Sequence, residues 1–102
     1  MADAEELKAR LNAETGRVSW SELERHFARG ALVTVRRGLD LVEVAAAFVE
    51  DDRNRVSGWM ETGAVRTTSA SDAQRWVKRD PTLWAVVVAP WVLVQEAGKE
   101  AD

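Results

Sequence analysis

The chain has 102 residues, of which 46% are hydrophobic and none is cysteine. A chain of this length can form one domain around one core, and the lack of cysteine excludes disulfides, thiolate catalysis and cysteine-based metal sites. The net charge is −3, with a balance of +2 over residues 17–79 and −5 over the two ends together, so no region is basic enough to indicate nucleic-acid binding.

The N-terminal sequence MADAEELKAR is acidic and has no apolar signal core, which argues against export. The most apolar run, Leu83–Val94, is shorter than the roughly 20 residues that a membrane-spanning helix needs. We therefore expect a cytoplasmic protein without a membrane partner. It is predicted to form a single domain over residues 1–102, with an ordered core over about 4–96 and an acidic tail over 97–102.

A first helix is predicted over about residues 4–14, with Gly16 as a left-handed C-terminal cap. Its apolar stripe contains little beyond Leu7 and Leu11. Because so narrow a stripe can bury little surface, we expect this helix to be peripheral.

The next helix has a stronger start signal, because Ser19 and Glu22 have the spacing of a capping box. It is predicted to end at Gly30 and to be followed directly by a buried strand over Ala31–Val35. The sequence Arg36-Arg37-Gly38 then predicts a turn.

The segment Leu39–Val44 repeats the capping pattern, with Asp40 as N-cap and Glu43 three residues later. The helix that follows is apolar nearly all round. Such a helix is typically buried on more than one side, so we predict that it is the central helix of the fold.

The same start and stop signals place three further elements. These are a helix over about 53–62 capped by residues 50–52, a short strand over 64–67, and a helix from Ser69 or Ser71 to about Lys78. Gly63 ends the first of these helices, and Asp80-Pro81 ends the second because the residue before proline disfavours helix.

The final apolar run is rich in β-branched and aromatic residues, which favours strand over helix. Pro90 cannot donate a ladder hydrogen bond, so it marks a break in this run. We predict two strands, Leu83–Val88 and Trp91–Gln95, either bent around Pro90 or joined by a tight corner. The first is apolar on both faces and is predicted to be central in a sheet with helices on each side.

These elements together predict a single small α/β or α+β domain, with one three- or four-stranded sheet flanked by four or five short helices. We expect Trp84→Ala to lower the free energy of unfolding by about 3–5 kcal/mol. The predicted core consists of Trp20, Leu23, Phe27, Leu32, Val33, Val35, Leu41, Val44, Phe48, Trp59, Trp76, Trp84, Val86, Val88 and Leu93.

The sequence contains no recognisable catalytic or metal-binding motif. His26 is the single histidine and is interpreted as structural or solvent-facing. Helix capping accounts for Asp40 and for the acidic residues 50–52 without a bound cation. We therefore predict no catalytic residue, metal site or cofactor, and the sequence gives more support to a binding protein than to an enzyme.

Five tryptophans are unusual beside no tyrosine and two phenylalanines. Four are predicted to be in the core, whereas Trp91 follows the break at Pro90 and could point outward. Tryptophan and arginine are enriched at protein interfaces. The candidate interaction surface consists of Arg36, Arg37, Asp40, Trp91 and Gln95.

The order VSWSELERHFARG, a Val-rich strand, GLDLVEVAAAFVEDD, a Trp-bearing helix ending in Gly, and LWAVVVAPWVLVQE resembles a family of small bacterial proteins, domain of unknown function 2288. The resemblance covers about residues 11–96, and members often have Phe in place of Trp91. It implies a bacterial cytosolic domain with these element boundaries. It implies no activity, cofactor or partner for any residue.

Three functions are compatible with these observations. The first is a non-enzymatic protein-interaction module with an unknown partner, or a homodimer formed through the edge of the 91–95 strand. The second is small-ligand binding or hydrolysis in a pocket lined by Asp40, Arg36 and a tryptophan. The third, with the weakest support, is nucleic-acid binding through the arginines at 53–55 and 75–79.

Overall fold

A computed structural model describes residues 3–97, so the end of the predicted acidic tail lies outside the described residues. The described residues form five helices and five short strands. In order they are α1 (Asp3–Glu14), β1 (Gly16–Val18), α2 (Trp20–Ala28), β2 (Leu32–Val35), α3 (Leu41–Val49), α4 (Arg53–Thr62), β3 (Val65–Thr67), α5 (Ala70–Arg79), β4 (Leu83–Val88) and β5 (Trp91–Glu96).

The described strands form one mixed sheet in the order β1-β4-β5-β2-β3. Neighbouring strands are antiparallel except β2 and β5, which are parallel and pair Val33 with Leu93. The predicted α+β class is confirmed, but the sheet has five strands where three or four were expected. The additional strand is β1, whose three residues are too few to show a period-two pattern.

Helices cover both faces of the sheet. Both faces need cover because consecutive side chains of a strand point to opposite faces, and here both sets are apolar. One face packs against α1, α3 and α4 and contributes Val33, Val35, Val86, Val88 and Leu93. The other face packs against α2 and α5 and contributes Leu32, Leu83, Ala85, Val92 and Val94. The long apolar run therefore supplies both layers of the core, because consecutive residues of one strand point to opposite faces.

Local capping chemistry explains why several helices begin and end where they do. The Asp40 carboxylate accepts hydrogen bonds from the backbone N–H groups of Val42 and Glu43, at 3.0 and 3.3 Å. Asp52 accepts from the N–H of Arg55 at 3.3 Å and so caps α4. Gly63 ends α4 with φ of 82°, a left-handed conformation that glycine adopts without steric cost.

Two expectations about the first helix were wrong. Gly16 is the first residue of β1 and not a left-handed cap. The helix is also not peripheral, because Leu11 is buried in the core between α1 and the sheet. Lys8 on α1 reinforces this contact through an ion pair of 2.8 Å to Glu43 on α3.

The expected free edge along residues 91–95 does not exist. β5 is hydrogen-bonded to β4 on one side and to β2 on the other, so its backbone is not available for pairing with a second copy. The edges of the described sheet are β1 and β3. Within residues 3–97, no helix is both long and apolar enough to span a membrane.

Most of the predicted core is fully buried. Ten of its members are buried, and the other five, Trp20, Phe27, Phe48, Trp59 and Trp84, are half-buried. Trp76 is the most buried tryptophan, at 1% exposure. The core also contains residues that the predicted core list omitted, namely Leu11, Val65, Leu83, Val92, Val94 and several alanines.

Candidate functional site

The five predicted interaction residues do not form one surface. Arg36 and Arg37 lie in the turn after β2, near the carboxyl end of β5. Trp91 begins β5, and a strand rises about 3.3 Å per residue, so Trp91 and Gln95 are roughly 13 Å apart along it. Asp40 is the N-cap of α3.

Gln95 has a structural contact that explains its position. Its side-chain amide donates hydrogen bonds to the carbonyl oxygens of Arg36 and Leu39, at 2.9 and 2.6 Å. These bonds tie the turn after β2 to the neighbouring strand. The backbone that carries Arg36 and Arg37 is therefore held in place by Gln95.

The first candidate site is an open apolar groove of about 960 Å³ at the end of the sheet where Pro90 joins β4 to β5. It lies between this turn, the C-terminal turns of α1 and α3, and one side of α4. We call it the apolar groove; its apolar lining includes Leu11, Phe48, Val49, Val56, Met60, Val87, Val88, Pro90 and Trp91.

Exposed hydrophobic side chains are concentrated in the apolar groove. Of the five large hydrophobic residues that are exposed within residues 3–97, three line it from the face of the sheet that packs on α1, α3 and α4, with exposures from 39% to 47%. These three are Val49, Met60 and Trp91. Val77 lies on α5 and lines a separate shallow surface between α2 and α5. Val87 borders the groove but pairs with Val92, so its side chain points to the α2 and α5 face.

The rim of the apolar groove is acidic. Its basic residues are Arg10 and Arg53, which pair with Glu14 at 3.9 Å and with Asp51 at 3.3 Å. Two further carboxylates, those of Asp52 and Glu61, line the same groove. The lining therefore has four acidic and two basic residues, a net charge of −2.

The second candidate site is a smaller recess of about 320 Å³ at the other end of β5. It is formed by the carboxyl ends of β2 and β5, the start of β3, and α5. We call it the arginine pocket, because its lining contains Arg36, Arg37, Arg66, Arg75 and Arg79 beside Glu96 and Trp76.

A buried carboxylate lies behind the arginine pocket. Asp72 is 2% exposed and accepts hydrogen bonds from both terminal nitrogens of Arg66, from Arg75 Nη1 at 3.3 Å, from the Ser69 N–H at 3.0 Å and from Thr34 Oγ1 at 3.4 Å. Burial by itself would raise the pKa of Asp72, but the bonds from Arg66 and Ser69 and the charge of Arg66 prevail and lower that pKa to about 2.

Glu96 is the second carboxylate of the arginine pocket. Its Oε2 accepts from Trp76 Nε1 at 2.6 Å and from Arg75 Nε and Nη2 at 3.0 and 2.9 Å. Burial opposes its ionisation, whereas these hydrogen bonds and the charge of Arg75 favour it, and the net effect is a lowered pKa for Glu96. Both carboxylates are thus ionised at neutral pH and hold the arginines in place.

The sequence interpretation missed the Asp72 cluster, although one local signal was available. Ser69 and Asp72 have the spacing of a capping box, and both of its hydrogen bonds are present. No local signal identifies Arg66 as the partner of Asp72. That pair forms because β3 lies against the start of α5. There Arg66 and Asp72 form a bidentate ion pair.

His26 and the two arginine groups considered for nucleic-acid binding lie in separate parts of the structure. His26 contacts Arg29 at 2.9 Å, and burial together with the charges of Arg29 and Arg25 lowers the pKa of His26. The two arginine groups considered for nucleic acid, at 53–55 and 75–79, lie on helices that pack against opposite faces of the sheet. They do not form one continuous basic surface.

Comparisons with known proteins agree with the fold. The family described as "Protein of unknown function (DUF2288)" matches residues 6–96. The solution structure of PA1075 from Pseudomonas aeruginosa, determined by NMR, is 49% identical and superposes with a TM-score of 0.84, covering 95% of this chain and 90% of that chain. No curated protein matches.

Proposed function

Since the chain belongs to the DUF2288 family, whose description assigns no activity, we propose from its surface that it is a protein-interaction module. The proposed binding surface is the apolar groove. The observation that supports this most directly is the concentration of three exposed hydrophobic side chains in one concave region. A contiguous group of exposed apolar side chains often marks a binding site.

The charge of the rim supports a particular kind of occupant. An apolar segment of another protein, flanked by lysine or arginine, would place its apolar side chains on Val49, Met60 and Trp91. Its basic flanks would then face the carboxylates of Asp52 and Glu61. Complementary charge of this kind speeds association and selects the partner.

The same charge argues against a second copy of this chain as the occupant. In a two-fold symmetric dimer each surface faces its own equivalent, so the acidic rim of one copy would face the acidic rim of the other. Like charges opposed across an interface are destabilising. We therefore propose a basic-flanked partner segment rather than self-association.

Replacing Val49 by serine tests this proposal, with Val77→Ser as a matched control. Both valines are exposed and lie on helices, at 44% and 62% exposure, but of the two only Val49 lines the apolar groove. Peptides with an apolar centre and lysine flanks, selected on the immobilised protein, should bind Val49→Ser roughly three- to tenfold more weakly than the wild type. Binding to Val77→Ser should be unchanged, as measured by fluorescence anisotropy. Equal losses in both variants would contradict the proposal.

Glu61→Lys tests the choice of occupant separately. It removes one acidic rim charge and adds a basic one, so lysine-flanked peptides should bind more weakly and glutamate-flanked peptides more tightly. If sedimentation instead shows a wild-type dimer that Val49→Ser disrupts and Val77→Ser does not, the groove binds a second copy. That outcome would overturn the basic-flanked occupant.

A further inference from the structure

The arginine pocket is a separate site from the apolar groove, at the opposite end of β5. It lies where the carboxyl ends of two neighbouring parallel strands meet, a position that often holds ligands in open sheets. Its volume of about 320 Å³ is at the lower limit of small-molecule sites. A recess of this size admits a small molecule.

The charge of the pocket is strongly unbalanced. Five arginines line it, and they are opposed by the carboxylates of Glu96 and of Asp72 behind it, which leaves an excess of three positive charges. Within residues 3–97, the ion pairs of the pocket involve only Arg66 and Arg75. The guanidinium groups that provide the excess belong to Arg36, Arg37 and Arg79.

The two carboxylates hold Arg66 and Arg75 in position but do not use all of their N–H donors. Glu96 receives three hydrogen bonds on one oxygen, and Asp72 receives five on its two oxygens. A guanidinium has five N–H donors, of which the described bonds use two in Arg66 and three in Arg75. Donors remain on both arginines for a ligand.

We infer that the arginine pocket binds the phosphate group of a small phosphate monoester. A phosphate monoester carries close to two negative charges at neutral pH and presents three terminal oxygens in a tetrahedral arrangement. The arginines approach from the turn after β2, from β3 and from α5, and thus from several directions. A planar carboxylate would meet only part of this donor set and would neutralise less of the excess charge.

The inference is tested by titrating the full-length, ¹⁵N-labelled protein with inorganic phosphate and then with glycerol 2-phosphate, at constant ionic strength. Trp76 lines the pocket, and its indole N–H donates to Glu96, so its indole resonance reports on the site. We expect saturable shifts of this resonance and of the amides of Arg36 and Arg37. Absence of shifts at phosphate concentrations of order 10 mM would overturn the inference.

Two charge-matched variants separate a specific site from general electrostatics. Arg37→Gln removes a pocket arginine, whereas Arg53→Gln removes an arginine of the apolar groove, whose side chain is 83% exposed. We expect about tenfold weaker phosphate binding for Arg37→Gln and no change for Arg53→Gln. Similar weakening in both variants would overturn the inference.

A dicarboxylate provides the second comparison. If succinate shifts the same resonances at lower concentration than glycerol 2-phosphate, the site selects carboxylates and the phosphate inference fails. Neither result depends on Val49 or on any other residue of the apolar groove. Failure of this inference therefore leaves the proposed protein-binding function open to its own test.

Discussion

Asp72→Asn is expected to lower the free energy of unfolding at pH 7 by about 3 kcal/mol. The substitution removes the charge that Arg66 and Arg75 bind, and an amide cannot accept five hydrogen bonds from the same donors. Removing one member of a buried ion pair typically costs about 3–5 kcal/mol. The lower value applies because both arginines are partly exposed and can reach water.

The effect of Asp72→Asn should depend on pH. The pKa of Asp72 is lower in the folded protein, at about 2, than its ordinary value of 3.8. The stabilisation from its ionised form is therefore complete above about pH 4 and is lost as the pH falls towards 2, and it amounts to about 2 kcal/mol. Urea denaturation at pH 7 and at pH 2.5 should show a smaller difference between variant and wild type at the lower pH.

Asp51→Asn is the matched control for this substitution. Asp51 also pairs with an arginine, at 3.3 Å, but both side chains are largely exposed. Exposed pairs contribute about 0–1 kcal/mol, so the control should be close to wild type at every pH. A loss below about 1 kcal/mol for Asp72→Asn would show that the cluster is not a stabilising feature of the core.

Trp76→Ala is expected to have the largest effect on stability, about 4–5 kcal/mol. Trp76 is buried between α5 and the sheet, packs near Trp20 with ring centroids 6.0 Å apart, and is 1% exposed. Its loss leaves a large cavity and removes one hydrogen-bond donor to Glu96. Chemical denaturation monitored by circular dichroism measures the change.

Trp84→Ala provides a comparison within the same residue type. The sequence alone predicted a loss of about 3–5 kcal/mol for this substitution. Trp84 is half-buried and lies on the opposite face of the sheet, with Arg17 5.4 Å from its ring. We therefore expect Trp84→Ala to be less destabilising than Trp76→Ala; the reverse order would contradict the assignment of Trp76 to the better-packed layer.

Much of the fold could be read from local sequence because the signals involved act over a few residues. Asp40 and Asp52 predicted helix starts, Gly63 predicted a helix end, and Pro90 predicted the division of the last apolar run into two strands. Each of these depends on hydrogen bonds or backbone angles within about one helical turn. The core was also largely predictable, because burial follows hydrophobic periodicity.

The candidate sites depend on contacts between residues that are distant in sequence. Trp91 could be singled out as an outward-facing residue, but its neighbours in the apolar groove come from α1, α3 and α4. Arg36 and Arg37 could be singled out as a charged pair, but Arg66, Arg75 and Glu96 join them only when β3, α5 and β5 are assembled.

The printed sequence is sufficient to place most helices and strands of this protein and to identify most of its buried side chains, since both follow from short-range chemistry. It leaves open the order of strands. The parallel pairing of β2 with β5 brings together segments separated by more than 50 residues, and it places β5 inside the sheet rather than at its edge. That long-range pairing, and the packing of helices on each face, create both the apolar groove and the arginine pocket.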